Sequence, residues 1–517
     1  MPTGADRMIE TAVAAGVDLC FTNPGTTEMP LVAALDRTPA LRSVLGLFEG
    51  VVTGAADGYA RITDTPALTL LHLGAGFGNG IANLHNARRA HSPVVNVIGD
   101  HATWLVDHDP PLASDIAGLA APASAWVRTV ATAADMGPDL AAAVAAARTA
   151  PGQIATLVVP VDCQWDDAPV ATAPIAAPVA PTASADTVVA AAKALAPGEH
   201  RVLLVGGRAL RARGQRAVER IRAHTGCRVY CENFGARVER APDLPSVRSI
   251  PYFPEMAVDA LADVTHLVTA GTAAPIAFFA LPQLGGRPEL TPEGCAVLAL
   301  TRDGDDVEAS LEVLADELGA PAGVTVEARP TPVVPEGGAP TPASVAQAVA
   351  ALLPEQAIVV EEANTSGINF VMQAPAAAPH WGLQLTGGAI GMGLPLAFGA
   401  AIAAPDRRVV ALQADGSAMY TLPALWSMAR EGTDVTIVVY SNRKYAILQL
   451  ELARAGITDP GPIAQSLTDL SNPDIDFCAI AKGMGVDATR ATTNEELVAA
   501  LQRSLATPGP SLIEVLL

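Results

Sequence analysis

Residues 409–448 read VVALQADGSAMYTLPALWSMAREGTDVTIVVYSNRKYAIL. One apolar, valine-rich run ends in Asp415-Gly416-Ser417, and a second ends in Ser441-Asn442-Arg443-Lys444-Tyr445, with a helical stretch between them. Strands that are apolar throughout and alternate with helices belong to parallel sheets covered on both faces. Ligands collect at the carboxyl ends of such strands, so Asp415 and Asn442, 27 positions apart, should meet at one rim. A carboxylate, an amide oxygen and a nearby backbone carbonyl make three hard oxygen ligands, and Mg²⁺ completes its octahedron with phosphate oxygens and water. Gly416 would let the backbone approach the phosphate, and a helix starting after Ser417 would aim its amides there. Asp-Gly alone reads equally well as a turn, and it is the coupled asparagine that favours a site.

The same alternation extends in both directions. ALTLLHL, PVVNVIG and ATLVVPV precede RVLLVGG, CRVYC, THLVTAG and CAVLALT, and AIVVEE and SLIEVLL flank the opening segment. Two Pro- and Ala-rich stretches, Ala168–Ser184 and Val324–Pro342, interrupt the pattern and read as linkers. The expected architecture is α/β, with three doubly wound parallel-sheet domains at residues 1–167, 185–322 and 343–517. A chain of 517 residues that is 50% hydrophobic and 16% charged is globular, and a net charge of −21 disfavours nucleic acid or an anionic membrane as partner. The start MPTGADRMIE has no signal-like segment and the six cysteines form no zinc pattern. A cytoplasmic location with reduced thiols is expected.

The segment 409–448 resembles the diphosphate-binding motif of thiamine diphosphate enzymes, GDG followed one strand–helix–strand later by NN. Ala414 stands for the first glycine and Ser441 for the first asparagine. Further matches are FTNPGTTEMP at 21–30, Leu47-Phe48-Glu49-Gly50, ADGYAR at 56–61 and HLGAGFGN at 72–79. Together they make essentially the whole chain similar to the family of acetolactate (acetohydroxyacid) synthase large subunits and benzoylformate decarboxylase.

That resemblance implies thiamine diphosphate and Mg²⁺ as cofactors, with Asp415, Asn442 and the Lys444 carbonyl as metal ligands. It implies a pyrimidine-binding first domain, a Rossmann-like middle domain without nucleotide and a diphosphate-binding third domain. Glu49 is implied as the acid that bonds the aminopyrimidine, His72 as a catalytic histidine and Thr26 as a substrate contact. Ile390 is implied as the wedge that folds the cofactor, with the Gly388 carbonyl receiving the aminopyrimidine. Further cofactor contacts are implied at Gly25, Asn79, Thr365, Ser366, Gly416, Ser417, Tyr445, Ala446 and Ile447. The implied activity is ylide addition to a 2-oxo acid, loss of carbon dioxide, then protonation or transfer to an aldehyde or second 2-oxo acid. Acetolactate synthase proper is an alternative, and a catalytically silent assembly or regulatory subunit a lesser one. The family's site lies between subunits, so a homodimer or homotetramer is expected.

Two departures bear on substrate. Ala274–Pro282 has Phe278 and Phe279 where benzoylformate decarboxylase supplies a second histidine. The helix at Leu448–Glu451 lacks the tryptophan of acetohydroxyacid synthase, and Ile447, Leu448 and Glu451 are candidates to line the pocket. In the middle domain VLLVGG suggests a flavin site, but no acidic residue is evident for a ribose, and FAD is not expected.

Overall fold

The computed structural model describes residues 1–198, 200–280, 286–323, 326–327 and 329–517. Among these residues the strands form three sheets. The first contains β1 (Leu19–Asn23), β2 (Arg42–Leu45), β3 (Ala67–His72), β4 (Val94–Asp100), β5 (Trp126–Thr129) and β6 (Ile154–Pro160), all parallel, in the order β2-β1-β3-β4-β6-β5. The second contains β7 (Arg201–Val205), β8 (Arg228–Cys231), β10 (Arg248–Ser249), β11 (His266–Ala270) and β12 (Ala296–Ala299), also all parallel, in the order β10-β8-β7-β11-β12. The third contains β13 (Ala357–Glu362), β14 (His380–Gln384), β15 (Val409–Ala414), β16 (Val435–Ser441), β17 (Asp487–Ala491) and β18 (Ser511–Leu516), with β9 (Val238–Arg240) at its edge, in the order β17-β18-β16-β15-β13-β14-β9.

Every apolar run quoted above is a strand; those of the first and third sheets are buried along most of their length, while β8 and β12 of the second are largely half-buried or exposed. The first and third sheets wind identically: counted within each, the order is second, first, third, fourth, sixth, fifth. The one exception to parallel pairing is β9. It comes from the middle stretch of the chain yet pairs antiparallel with β14. Arg240 bonds Glu361 at 2.9 Å, and the guanidinium groups of Arg237 and Arg407 lie 3.6 and 3.8 Å from the ring centre of Trp381.

The first and third units share one continuous apolar core. The Glu49–Thr63 helix meets the Gly393–Ala403 helix so closely that a β-carbon at Gly54 would strike Pro395, and one at Gly58 or Gly399 would strike a backbone carbonyl. On the same helix Arg61 donates twice to Asp57, at 2.8 and 2.7 Å, and also to the carbonyls of Ala236 and Gln384 and to the Thr386 hydroxyl. This ion pair is out of water, with side chains 1% and 0% exposed. One arginine thus fastens all three units.

Residues 168–184 run without helix or strand, while the second Pro-rich stretch begins at residues outside those described. All six cysteines are free thiols. No helix among the described residues is long and apolar enough to cross a membrane.

Candidate active site

β15 and β16 are paired in parallel with Ala414 opposite Tyr440, so Asp415 and Asn442 leave the sheet at the same rim. Asp415 is 3% exposed; its Oδ1 accepts the Gly416 amide at 2.8 Å and its Oδ2 the Arg443 amide at 2.6 Å. Burial pushes its carboxyl above the usual range, although the amides pull the other way. Among the described residues no lysine, arginine or histidine side chain bonds it, so it is not half of an ion pair and could serve as a metal ligand. The Asn442 amide donates to Ser366 Oγ at 3.3 Å, and its Oδ1 accepts the Lys444 amide at 3.0 Å. Arg443, at φ +56, turns the chain here. Its carbonyl accepts the Leu470 amide, and the Tyr445 amide donates to Thr468, while no described hydrogen bond ends on the Lys444 carbonyl.

One local expectation changes. No long helix follows Ser417: Asp415–Ala418 form a single helical turn, and the helix proper is Pro423–Glu431, where Pro423 sets its start. Gly416 is required by a side chain, since a β-carbon there would enter the Tyr445 ring. Ser417 Oγ accepts from Asn364 at 3.2 Å.

The loop carrying Ile390 is held from beneath. Glu362, at the end of β13, is wholly buried; its Oε1 accepts the amides of Gly391 and Met392 at 2.8 and 2.9 Å, and its Oε2 those of Gly393 and the Gln413 side chain at 2.7 and 2.6 Å. Gly388 and Gly391 take φ of +74 and +96, which glycine adopts without strain. From the first unit, Asn86 exchanges both its amide groups with Ala389, at 2.8 and 3.2 Å, and His85 Nε2 reaches the Gly387 carbonyl at 3.1 Å. Ile390 itself is half-buried against the shared core.

At the rim of the first sheet Glu49 is buried in the first turn of its helix. Its Oε2 accepts the Asn79 side chain at 3.0 Å, and Gly76 lies so near that a β-carbon would stand 3.0 Å from Oε1. His72 ends β3, and its Nδ1 is 2.8 Å from Oε2 of the buried Glu28. Glu28 also accepts the Gly25 amide at 2.6 Å and the Thr27 hydroxyl at 2.5 Å. Gly25 gives the His72 ring its space, and Gly99 does the same for Glu28. A proton on Nδ1, donated to Glu28, leaves Nε2 as the imidazole's free atom. Sequence reading missed Glu28 and Asn86; a glutamate two residues after Thr26, in a segment already singled out, was the available signal. Thr26 is exposed, and it is Thr27 that faces Glu28 and His72.

The structure therefore gathers Asp415, Asn442, Ser366, Ser417 and Tyr445 on one rim, and Glu49, Asn79, Gly25 and His72 on another. No described hydrogen bond joins Glu49 to the Asp415 group within one chain. The Ala446–Arg454 helix, which includes Ile447, Leu448 and Glu451, has no buried residue. Phe278 and Phe279 are exposed at the described end of the 274–282 stretch, whose last two residues lie outside the described set.

Comparison with known proteins finds relatives that cover nearly the whole chain. Residues 2–119 match the N-terminal TPP binding domain of thiamine pyrophosphate enzymes, and residues 368–515 match the C-terminal TPP binding domain. A Mycobacterium tuberculosis protein, provisionally named an acetolactate synthase large subunit, is 51% identical over 99% of this chain and 98% of its own. Benzoylformate decarboxylase of Pseudomonas aeruginosa is 32% identical over 97% of this chain and 96% of its own. The solved structure of a thiamine diphosphate-dependent 4-hydroxybenzoylformate decarboxylase from Rhodococcus jostii superposes with a TM-score of 0.85 at 26% identity, covering 99% of this chain and 98% of that one.

Proposed function

This chain belongs to the thiamine pyrophosphate enzyme family, and from that premise we propose that it is a cytoplasmic decarboxylase or carboligase of 2-oxo acids, working as a homo-oligomer with Mg²⁺. Bound thiamine diphosphate supplies the nucleophilic carbon and the electron sink. In this reading Asp415, Asn442 and the Lys444 carbonyl would be the metal ligands, and the helical turn Asp415–Ala418 would lie nearest the diphosphate. The observation that carries the reading is Glu49: a buried carboxyl whose one side-chain partner among the described residues is an amide, beside a glycine at which any side chain would crowd the carboxylate. It can hold a proton at the edge of the aminopyrimidine and return it. His72, fixed by Glu28 through Nδ1, offers Nε2 to the substrate carboxylate or to the proton that ends the cycle. Exposed Phe278 and Phe279 bring no proton to that side, which favours transfer to a second carbonyl over simple protonation.

Acetolactate synthesis is the second reading, favoured by the name of the 51%-identical relative. The test is a screen of the protein with thiamine diphosphate and Mg²⁺ against pyruvate, benzoylformate and 4-hydroxybenzoylformate, with and without an acceptor aldehyde. Carbon dioxide with a free aldehyde marks a decarboxylase, acetolactate from pyruvate a synthase, and hydroxy ketones that need the acceptor a ligase. No turnover of any 2-oxo acid by protein that binds the cofactor would sink the proposal.

A further inference from the structure

The middle sheet has the strand order of a dinucleotide fold. With β9 assigned elsewhere, its strands run third, second, first, fourth, fifth. The switch point falls between β7 and β11, where such folds bind phosphate against the glycine turn after the first strand. That turn is Gly206-Gly207, and the residue following the second strand, where these folds place an acid for the ribose, is Glu232. An acid therefore stands where the sequence reading found none.

Its carboxylate points into the crevice. Oε1 accepts the Gly207 amide at 2.8 Å. A β-carbon at Gly206 would lie 2.7 Å from the Glu232 carboxyl carbon and 2.7 Å from Thr272 Cβ, so the turn after β7, the loop after β11 and the carboxylate close on one another. The amide that would receive a phosphate oxygen already holds a carboxylate oxygen. Burial pushes this carboxyl up to about 7, as fits a group whose partners are an amide and a hydroxyl rather than a cation.

The cations at the mouth are taken as well. Arg208 and Arg211 follow the glycine turn, and both pair with Asp64 of the first unit: Arg211 through two bonds of 2.5 and 2.6 Å, and Arg208 at 3.5 Å while its Nε donates to Glu308 at 3.2 Å. Arg237 stands 3.7 Å from the same carboxylate. Asp64 caps the Glu49–Thr63 helix in the left-handed conformation, so the contact ties the crevice to the helix that begins with Glu49.

We propose that the middle unit is a nucleotide-type fold whose phosphate crevice is filled by the chain's own carboxylates, Glu232 at the glycine turn and Asp64 at the arginines. The crevice serves as a joint between units, and FAD and nucleoside diphosphates are excluded by occupation rather than by lack of a site.

The test uses the full-length holoenzyme with ADP and FAD as probes, read by equilibrium dialysis and by the ligand-induced shift in melting temperature. Wild type and Glu232→Gln, whose side-chain oxygen can still accept the Gly207 amide, should bind neither probe. Glu232→Ala should acquire saturable ADP binding at least tenfold tighter than any wild-type signal, and adding Asp64→Ala should tighten it further. Glu232→Ser serves as the opening variant should the alanine protein not fold. Wild type that retains a flavin, or that binds ADP as tightly as the opened variants, would overturn the proposal. So would opened variants that fold and turn over substrate but bind no ADP.

Discussion

Replacing Glu362 by glutamine tests whether the Ile390 loop is set by the carboxylate beneath it. The carboxylate faces four N–H donors and has no donor of its own: two amides on Oε1, and one amide plus the Gln413 side chain on Oε2. A glutamine in the same rotamer keeps the first pair and turns an NH₂ group toward the second. Gln413 can relieve half of that conflict by flipping, because its own Oε1 is buried without a partner. The Gly393 amide cannot flip, since it begins the Gly393–Ala403 helix. One orphaned buried donor costs roughly 1–3 kcal/mol. Spent on the loop that carries Ile390, the same energy should weaken thiamine diphosphate binding about 5- to 150-fold, at ~1.4 kcal/mol per decade. Glu362→Ala strands all four donors and should do more. The assay is titration of cofactor-free protein with thiamine diphosphate at saturating Mg²⁺, followed by tryptophan fluorescence, beside a melting curve. A variant that melts lower yet binds the cofactor like wild type would refute the reasoning, because the carboxylate would then serve the fold and not the loop.

Glu49→Gln preserves the Asn79 contact, so it should leave the melting temperature nearly unchanged while kcat/KM falls by roughly 10²–10⁴; a loss under tenfold would remove Glu49 from the chemistry. Asp57→Ala leaves the Arg61 guanidinium buried without its counter-ion and should cost about 3–5 kcal/mol, seen as a lowered denaturation midpoint with the three units loosened together. His380 is buried and held neutral: desolvation first, then the nearby Arg240, brings it down to about 3. A depressed histidine contributes stability that is present above its unfolded value near 6.5 and is lost as pH falls toward 3, at up to ~1.4 kcal/mol per pH unit. His380→Gln should therefore flatten the stability curve between those limits, and an unchanged acid limb would count against a neutral buried imidazole.

The strands easiest to read from the sequence were those whose burial on both faces demanded an apolar run, such as VVAL at 409–412. β9 was not legible because its reasons lie elsewhere in the chain: a three-residue segment with two charged side chains becomes a strand through Glu361 and Trp381, more than a hundred positions away. The identical winding of the first and third sheets leaves no mark in the sequence, since topology constrains apolarity and not residue identity. Asp415, Asn442 and Glu49 could be found by chemistry at strand and helix ends. Glu28, Asn86 and Glu362 could not be ranked that way, because each acts by filling space that a distant glycine or loop leaves open.

Whether the site is divided between two chains can be tested without further structure. Within one chain the Glu49 helix is locked against the Gly393–Ala403 helix by contacts that admit no side chain at Gly58 or Gly399. Glu49 is therefore fixed relative to its own third unit, and no described bond leads from it to Asp415. If Glu49 instead serves the metal loop of a partner, two inactive variants should rescue each other. A mixed dimer of Glu49→Gln with Asp415→Ala has one site carrying both lesions and one carrying neither. Random exchange of subunits makes about half the dimers mixed, so about a quarter of wild-type activity should return. Were each site built within a single chain, every site in the mixture would keep one lesion and nothing would return. Mixing the variants under conditions that exchange subunits, and assaying turnover against each alone, separates the two arrangements. Persistent inactivity despite exchange would place Glu49 and Asp415 in the same chain's site.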